Sequence, residues 1–191
     1  MQQNTTESQR PVHTCPWWLA YTFDNRLRGL LHRPAEILNG LVRPGRTVVD
    51  IGAGLGFFTI AMAELVGSEG TVISVDLQPE MLRRARRGAE RRGIADRIRF
   101  HQATPAAIGI QGPVDFVLAF WMVHEVADRQ AFLAEIHSLL GSGGHLLIAE
   151  PKGHVSQAMF RLTAEVAQEA GFSVTDGPNV RLSRSILCTR R

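Results

Sequence analysis

One stretch, VVDIGAGLGFFTI at residues 48–60, constrains the fold of this chain more than any other. An apolar run that contains Asp50 leads into three glycines within five residues, at Gly52, Gly54 and Gly56. An apolar helical pattern begins immediately afterwards. A buried strand that ends in glycines and turns into a helix is typical of α/β proteins, whose ligands lie beyond the carboxyl ends of parallel strands. The stretch therefore predicts a parallel sheet with a ligand site at one edge.

Apolar runs alternate with helical patterns along the rest of the chain, which predicts a doubly wound sheet. We predict strands at 47–51, 71–75, 97–101, 114–120, 145–149, 172–175 and 185–188. We predict helices at 57–66, 79–92, 104–108, 129–140 and 156–170, after two short helices interrupted by Pro34. Intervening helices require right-handed crossovers and parallel pairing. No helical pattern separates the last two strands, so these are expected to form an antiparallel hairpin.

Composition favours one folded domain, because 45% of the 191 residues are hydrophobic and 20% are charged. The net charge of +3 reflects a preference for arginine over lysine, and Lys152 is the single lysine. No apolar stretch approaches the roughly 18 residues that cross a bilayer, and the first residues lack a signal-peptide pattern. Cys15 and Cys188 are far apart, which favours reduced thiols over a zinc site. We expect a cytoplasmic protein without a bound metal.

The spacing of the glycines separates two kinds of nucleotide ligand. Asp76 ends the second strand and lies where a carboxylate accepts hydrogen bonds from ribose hydroxyls. A dinucleotide-binding turn has the form G-x-G-x-x-G, but here Gly56 comes one residue early and Phe57 occupies the third glycine position. Asp50 would repel a phosphate and attract a cation. These features favour a positively charged adenosine ligand and disfavour an NAD-dependent dehydrogenase.

Four segments resemble, in order, the motifs of the class I S-adenosylmethionine-dependent methyltransferases of the small-molecule, UbiE-like type. They are VVDIGAGLGFFT, VISVDLQPEML, VDFVLAFWMVHEV and LLGSGGHLLIAEP. The resemblance covers the chain from about residue 47 to its end. It implies a Rossmann-like, seven-stranded, mostly parallel sheet of order 3-2-1-4-5-7-6 with an antiparallel last-named pair and helices on both faces. It also implies a methyltransferase domain at 47–191, preceded at 1–46 by a leader and a helical cap over the active site.

The resemblance implies that Asp76 holds the ribose, that the turn wraps the methionine part of S-adenosylmethionine, and that Gln102 lies near the adenine. The cofactor-binding candidates are Asp50, Gly52, Ala53, Gly54, Gly56, Asp76, Leu77, Gln102, Ala103, Phe120, Tyr21 and Arg28. The last two could reach the cofactor carboxylate from the N-terminal segment. Many relatives have an acid where this chain has Gln102, whose side-chain carbonyl is still an acceptor.

Two histidines follow the fourth and fifth strands and are the catalytic candidates, His124 and His154. Each has the pKa range for proton removal near neutral pH, although His124 could instead be a structural residue that bonds to the backbone. The substrate-binding candidates are Trp17, Trp18, Trp121, Glu150 and Lys152. The alternative for the first two is packing of a helix on the sheet, and for Glu150 it is a bond to Lys152 or to the next helix.

The expected function is transfer of the methyl group of S-adenosylmethionine to a small-molecule acceptor by in-line displacement, with S-adenosylhomocysteine as product. Two alternatives stay open: an RNA or protein methyltransferase that docks through RRARRGAERR at 83–92, and a non-catalytic S-adenosylmethionine-binding protein. No aromatic residue interleaves with those arginines, so we interpret them as a solvated face. We expect a monomer or homodimer that binds neither nucleic acid nor membrane.

Overall fold

Residues 32–191, which the computed structural model describes, form one seven-stranded sheet with helices on both faces. The strands are β1 Thr47–Ile51, β2 Thr71–Asp76, β3 Ile98–Gln102, β4 Val114–Phe120, β5 Leu140–Pro151, β6 Phe172–Asp176 and β7 Ser183–Arg190. The helices are α1 Pro34–Ile37, α2 Phe57–Val66, α3 Pro79–Glu90, α4 Arg129–Leu139 and α5 Gln157–Glu169. Short 3-10 turns lie at Ala95–Arg97 and Val123–Glu125. The first of the two predicted N-terminal helices lies outside the described residues.

The sheet has the order β3-β2-β1-β4-β5-β7-β6, which confirms the predicted topology. Strands β1 to β5 pair in parallel, whereas β7 is antiparallel to both β5 and β6. Ile51 lies opposite both Val75 and Ala119, and Asp76 lies opposite Gln102. The carboxyl ends of the central strands therefore meet at one edge, where the predicted site residues follow them.

Two local predictions were wrong or imprecise. The predicted helix at 104–108 is absent, and Thr104 and Ala107 form an isolated bridge instead. There the Thr104 hydroxyl accepts a hydrogen bond from the Ala107 N–H, and the Glu135 carboxylate accepts from the N–H groups of Ile108 and Gly109. These bonds replace the helical ones. Strand β5 begins at Leu140, directly after α4, because Leu140 pairs with Val114 across a register shift.

The core has two layers, one on each face of the sheet. Helices α4 and α5 bury Leu133, Ile136 and Phe160 against one face. Helices α1 to α3 cover the other face, where Leu38 and Phe58 pack in a common cluster. Residues just before β1 therefore belong to the core of the same domain. Within the described part of the chain, no helix has the length and apolar composition needed to cross a membrane.

We predict that Gly56 tolerates a side chain less well than Gly54 does. A Cβ on Gly56, whose φ is +85°, would lie 2.8 Å from the Cβ of Ala85, whereas one on Gly54, at φ +56°, would meet no atom within 4 Å. We expect Gly54→Ala to lower the free energy of unfolding by about 1–2 kcal/mol, from left-handed backbone strain alone. Gly56→Ala adds overpacking against α3, about 1–3 kcal/mol more. Urea denaturation of both variants measures the difference, and equal losses would contradict it.

Candidate functional site

The turn between β1 and α2 is held against the end of β2 by backbone hydrogen bonds. The N–H groups of Gly52 and Ala53 both donate to the Val75 carbonyl, at 2.9 and 3.0 Å. The N–H of the next residue, Gly54, donates to Oδ2 of Asp76 at 2.9 Å. All three glycines of the turn have positive φ, a conformation that costs a side-chain-bearing residue free energy. The glycine pattern is therefore required by the shape of this turn.

Two glycines of the turn also permit close approach of neighbouring segments. Gly56 lies against Ala85, so the early third glycine brings α2 and α3 together. A Cβ on Gly52 would lie 2.9 Å from Cγ of Met122, which places the Met122 side chain directly against the turn. Met122 was not among the predicted site residues, because nothing in its local pattern distinguishes it from a core methionine.

Asp76 presents an oriented carboxylate beside the turn. Its Oδ2 accepts the Gly54 N–H and its Oδ1 accepts the Gln78 N–H, each at 2.9 Å. Burial raises the pKa of Asp76, and the backbone hydrogen bonds from Gln78 and Gly54 oppose that shift. Leu77 supplies a further backbone hydrogen bond, and of the roughly four acceptor positions of a carboxylate one is left for a ligand. The carboxylate is thus preoriented and can still accept a hydrogen bond from a ligand.

The end of β3 offers hydrogen-bond acceptors that could bind the amino group of an adenine. The Gln102 amide nitrogen donates to the Leu77 carbonyl at 3.2 Å, which leaves its side-chain oxygen as an acceptor. The Ala103 N–H donates to the Asp76 carbonyl at 3.1 Å. That bond occupies the N–H of Ala103, so the Gln102 side-chain oxygen and the Ala103 carbonyl are the acceptors left at this position.

Asp50 lies beneath the turn, and only 2% of its surface is exposed. Its Oδ2 accepts a hydrogen bond from the Thr59 hydroxyl at 2.5 Å, and that hydroxyl lies 3.1 Å from Oγ of Ser74. Thr59 and Ser74 are fully buried. Asp50 therefore links β1 to α2, and through Thr59 to β2. The structure places the Asp50 carboxylate below the turn, bonded to Thr59, and its contact with a cationic ligand stays a prediction.

Phe120 and Trp121 form an aromatic wall at the end of β4. The Phe120 ring centroid lies 4.4 Å from that of Phe58 and 5.4 Å from that of Trp121. The Trp121 indole N–H donates to Oγ of Ser183 at 2.8 Å, and His32 meets both wall residues edge-on. Trp121 has a φ of +59°, which is strained for a bulky residue. Such strain concentrates at functional sites, and here the neighbouring contacts hold it.

His124 and Glu150 form a close pair across the ends of β4 and β5. The imidazole Nδ1 lies 2.6 Å from Oε2 of Glu150, and Oε1 of Glu150 accepts the His124 N–H at 3.1 Å. Glu150 is only 1% exposed. The predicted substrate contact of Glu150, and its alternative bond to Lys152, are both corrected, because this buried carboxylate uses both oxygens to hold His124.

The hydrogen bond from the His124 ring to the Glu150 carboxylate raises the pKa of His124 above its usual range, while partial burial opposes the rise. Glu125 adds a smaller Coulombic contribution, since its Oε1 lies 4.0 Å from Nε2 of His124. Nδ1 faces Glu150, so Nε2 is the ring nitrogen left to act on a bound molecule. The exposed ring of His154 has its centroid 6.3 Å from that of His124. Lys152 is exposed on the same loop.

Cysteine and metal chemistry find no support in the described residues. Residues 32–191 contain no group of three or more His, Cys, Asp or Glu side chains that could hold a metal ion. Cys188 is a free, buried thiol, and burial raises its pKa to about 12. The thiol is therefore protonated at neutral pH and is a poor nucleophile. The predicted residues Trp17, Trp18, Tyr21 and Arg28 lie outside the described part of the chain.

A sheet of this order, with a glycine turn locked to an acid at the end of the second strand, is the architecture of the class I S-adenosylmethionine-dependent methyltransferases. Comparison with known families agrees. The family model described as "Methyltransferase domain" matches residues 43–177 of this chain. The chain belongs to this methyltransferase family, as its motifs predicted.

The individual relatives share about a third of their residues or fewer with this chain. The ubiquinone/menaquinone biosynthesis C-methyltransferase UbiE of Marinomonas sp. is 34% identical over 110 residues, which cover 57% of this chain and 44% of that protein. The chain thus spans less than half the length of that relative. A SAM-dependent methyltransferase from Aquifex aeolicus superposes with a TM-score of 0.83 at 21% identity, covering 93% of this chain and 100% of that one. A SAM-dependent O-methyltransferase from Thermotoga maritima superposes with a TM-score of 0.67 at 20% identity, covering 83% of this chain and 64% of that one.

We predict that Glu150→Gln lowers the pKa of His124, because it removes the strongest interaction that favours the imidazolium. A folded-state pKa raised above the unfolded value of about 6.5 stabilises the protein fully below that value, and the contribution is lost as pH rises through the folded pKa. The stability advantage of wild type over Glu150→Gln should therefore shrink with rising pH. Titration of the His124 ring by NMR and urea denaturation at several pH values measure the two effects.

Glu125→Gln is the matched control, since it removes a carboxylate that interacts with the same ring more weakly. It should shift the pKa of His124 less than Glu150→Gln does. An unchanged His124 pKa in Glu150→Gln would show that the pair does not control this titration.

Proposed function

We propose that this chain transfers the methyl group of S-adenosylmethionine to a small-molecule acceptor and releases S-adenosylhomocysteine. The observation that carries the proposal is the hydrogen bond between the Gly54 N–H and the Asp76 carboxylate. It joins a turn with glycine at three of five positions to an oriented acceptor at the carboxyl edge of the sheet. That combination suits an adenosine ligand whose remaining part lies along the turn.

In this proposal the chain's own residues divide the cofactor between them. Asp76 accepts a hydrogen bond from a ribose hydroxyl, and the side-chain oxygen of Gln102 accepts from the adenine amino group. The methionine part follows Gly52 to Gly54, above the buried carboxylate of Asp50. The cofactor supplies an activated methyl group on a positively charged sulfur. The protein then has to align the acceptor with that methyl group and exclude water.

The pair of His124 and Glu150 supports a proton-removing role at the acceptor. Nε2 of His124 would take a proton from a hydroxyl or amine, and Glu150 would stabilise the resulting imidazolium as it already holds the ring. His154 and Lys152 lie on the adjacent loop and would orient the acceptor. A thiolate or a similar soft nucleophile would need no base, so this part of the proposal concerns protonated acceptors.

The N-terminal segment is proposed to cover this edge, with Trp17 and Trp18 against the acceptor and Tyr21 and Arg28 near the cofactor carboxylate. The support is the place where the described chain begins. His32 bonds through Nε2 to the Arg181 carbonyl at 3.1 Å and packs on Trp121. The chain thus enters the described domain beside the aromatic wall.

A small acceptor and a cytoplasmic setting complete the proposal. The free, buried thiol of Cys188 is compatible with a reducing compartment. The relatives named above carry both C- and O-methyltransferase names. The atom that is methylated is therefore left to experiment.

We expect S-adenosylmethionine and S-adenosylhomocysteine to raise the melting temperature of the wild type, by about 5–10 °C at a hundredfold excess over Kd. Asp76→Ala should abolish the shift because the ribose loses its acceptor. Asp96→Ala removes an exposed carboxylate before β3 and should keep the shift. NAD should have no effect. Thermal unfolding with each ligand provides the measurement, and stabilisation by NAD alone would refute the cofactor assignment.

We expect His124→Gln to lower turnover with hydroxyl or amine acceptors by about 10²–10⁴-fold, the usual contribution of a positioned base. Wild-type activity should fall as pH decreases through the pKa of His124, and Glu150→Gln should move that fall to lower pH. His137→Gln, in α4 and packed on Phe172, is the control histidine. Release of S-adenosylhomocysteine is followed across phenols, amines, thiols and metalloid oxyanions. Full activity of His124→Gln with a phenol or amine would show that His124 is not the proton-removing base.

A further inference from the structure

A groove between α2 and α3 is lined by none of the residues assigned to methyl transfer. It encloses about 550 Å³, and its walls carry four arginines, Arg84, Arg87, Arg91 and Arg92. Leu55, Ile60 and Gly88 complete the lining. A Cβ on Gly88 would lie 3.1 Å from Cδ1 of Ile60, so this glycine lets α3 lie close to α2.

The groove carries more positive charge than its carboxylates neutralise. Arg84 pairs with Glu80 at 2.8 Å, and Arg92 pairs with Glu64 at 3.2 Å. Neither Arg87 nor Arg91 has a carboxylate within ion-pair distance among residues 32–191. Like charges gathered on one wall repel each other, and an anion bound between them removes that repulsion.

Helical spacing separates the groove arginines from the other arginines of α3. Arg84, Gly88 and Arg91 follow one another at intervals of four and three residues, so they share one face of the helix. Arg83 bonds to Glu80, and Arg86 stacks on the Phe100 ring with its guanidinium carbon 4.4 Å from the centroid. Neither lines the groove. The arginines of the basic segment therefore differ in their partners, although most of them are exposed.

We propose that this groove binds a small oligophosphate, a ligand with two or more linked phosphate groups. Guanidinium groups bind phosphate oxygens in a bidentate manner, and several phosphates would be needed to engage the separate arginines. The volume suits a ligand of nucleotide size. No aromatic side chain of the described residues lines the groove, which disfavours stacked bases and therefore a nucleic acid strand. This site is independent of the proposed methyl transfer.

The groove also adjoins the turn at the sheet edge. Leu55, which lines the groove, lies between Gly54 and Gly56 in the chain. A ligand in the groove would therefore contact the outer side of the turn whose inner side bonds to Asp76.

Isothermal titration of the full chain with inorganic tripolyphosphate tests the proposal. We expect tripolyphosphate to bind more tightly than orthophosphate. The double variant Arg87→Gln/Arg91→Gln should weaken tripolyphosphate binding by about tenfold or more, the effect of losing a charge-assisted hydrogen bond. The double variant Arg83→Gln/Arg161→Gln loses the same charge outside the groove, since Arg161 is exposed on α5. Its affinity should stay within about twofold of wild type.

Absence of tripolyphosphate binding would overturn the proposal, and so would equal weakening by the two double variants. Tighter binding of a single-stranded RNA of about twelve nucleotides, with the same dependence on Arg87 and Arg91, would assign the groove to nucleic acid instead. If Arg87→Gln/Arg91→Gln does not fold, the double variant Arg87→Lys/Arg91→Lys replaces it. This variant keeps the positive charge but loses the planar guanidinium groups that bind phosphate in a bidentate manner. It should then bind tripolyphosphate more weakly than wild type.

Discussion

The hydrogen bond from the Gly54 N–H to the Asp76 carboxylate is the interaction on which the geometry of the sheet edge depends. It joins the turn after β1 to the end of β2, and the bonds of Gly52 and Ala53 to Val75 reinforce it. A turn held in this way needs left-handed backbone at three positions, which glycine adopts at the lowest cost. The position of α2, and through Gly56 the approach of α3, follow from the same turn.

Three carboxylates lie at this edge of the sheet, and each has a different position and different hydrogen-bond partners. Asp50 is buried below the turn and held by Thr59, whereas Asp76 is oriented beside the turn by two backbone N–H groups. Glu150 is buried at the end of β5, two strands away from β1 in the sheet, and holds His124. A buried carboxylate is costly unless it is paired or hydrogen-bonded, and each of these has such partners. The result is an edge at which the Asp76 carboxylate and Nε2 of His124 are left to interact with a ligand.

Much of the fold was predictable because it depends on patterns that are local in the chain. Apolar runs separated by helical periodicity predicted the seven strands, and the resemblance supplied their order, which the structure confirms. The helix predicted at 104–108 is absent for a physical reason. Thr104 and the distant Glu135 supply hydrogen-bond acceptors that compete with a helix, and periodicity does not register them.

The sequence by itself determined the glycine turn, the acid that follows β2, and the histidines that follow β4 and β5, because each occupies a fixed place relative to a strand end. Only the tertiary structure decided what these groups contact. Glu150 faces His124, Met122 covers Gly52, and Ser183 holds Trp121 because neighbouring strands bring together residues that are far apart in the chain. Such contacts depend on strand order and register, which no local pattern encodes.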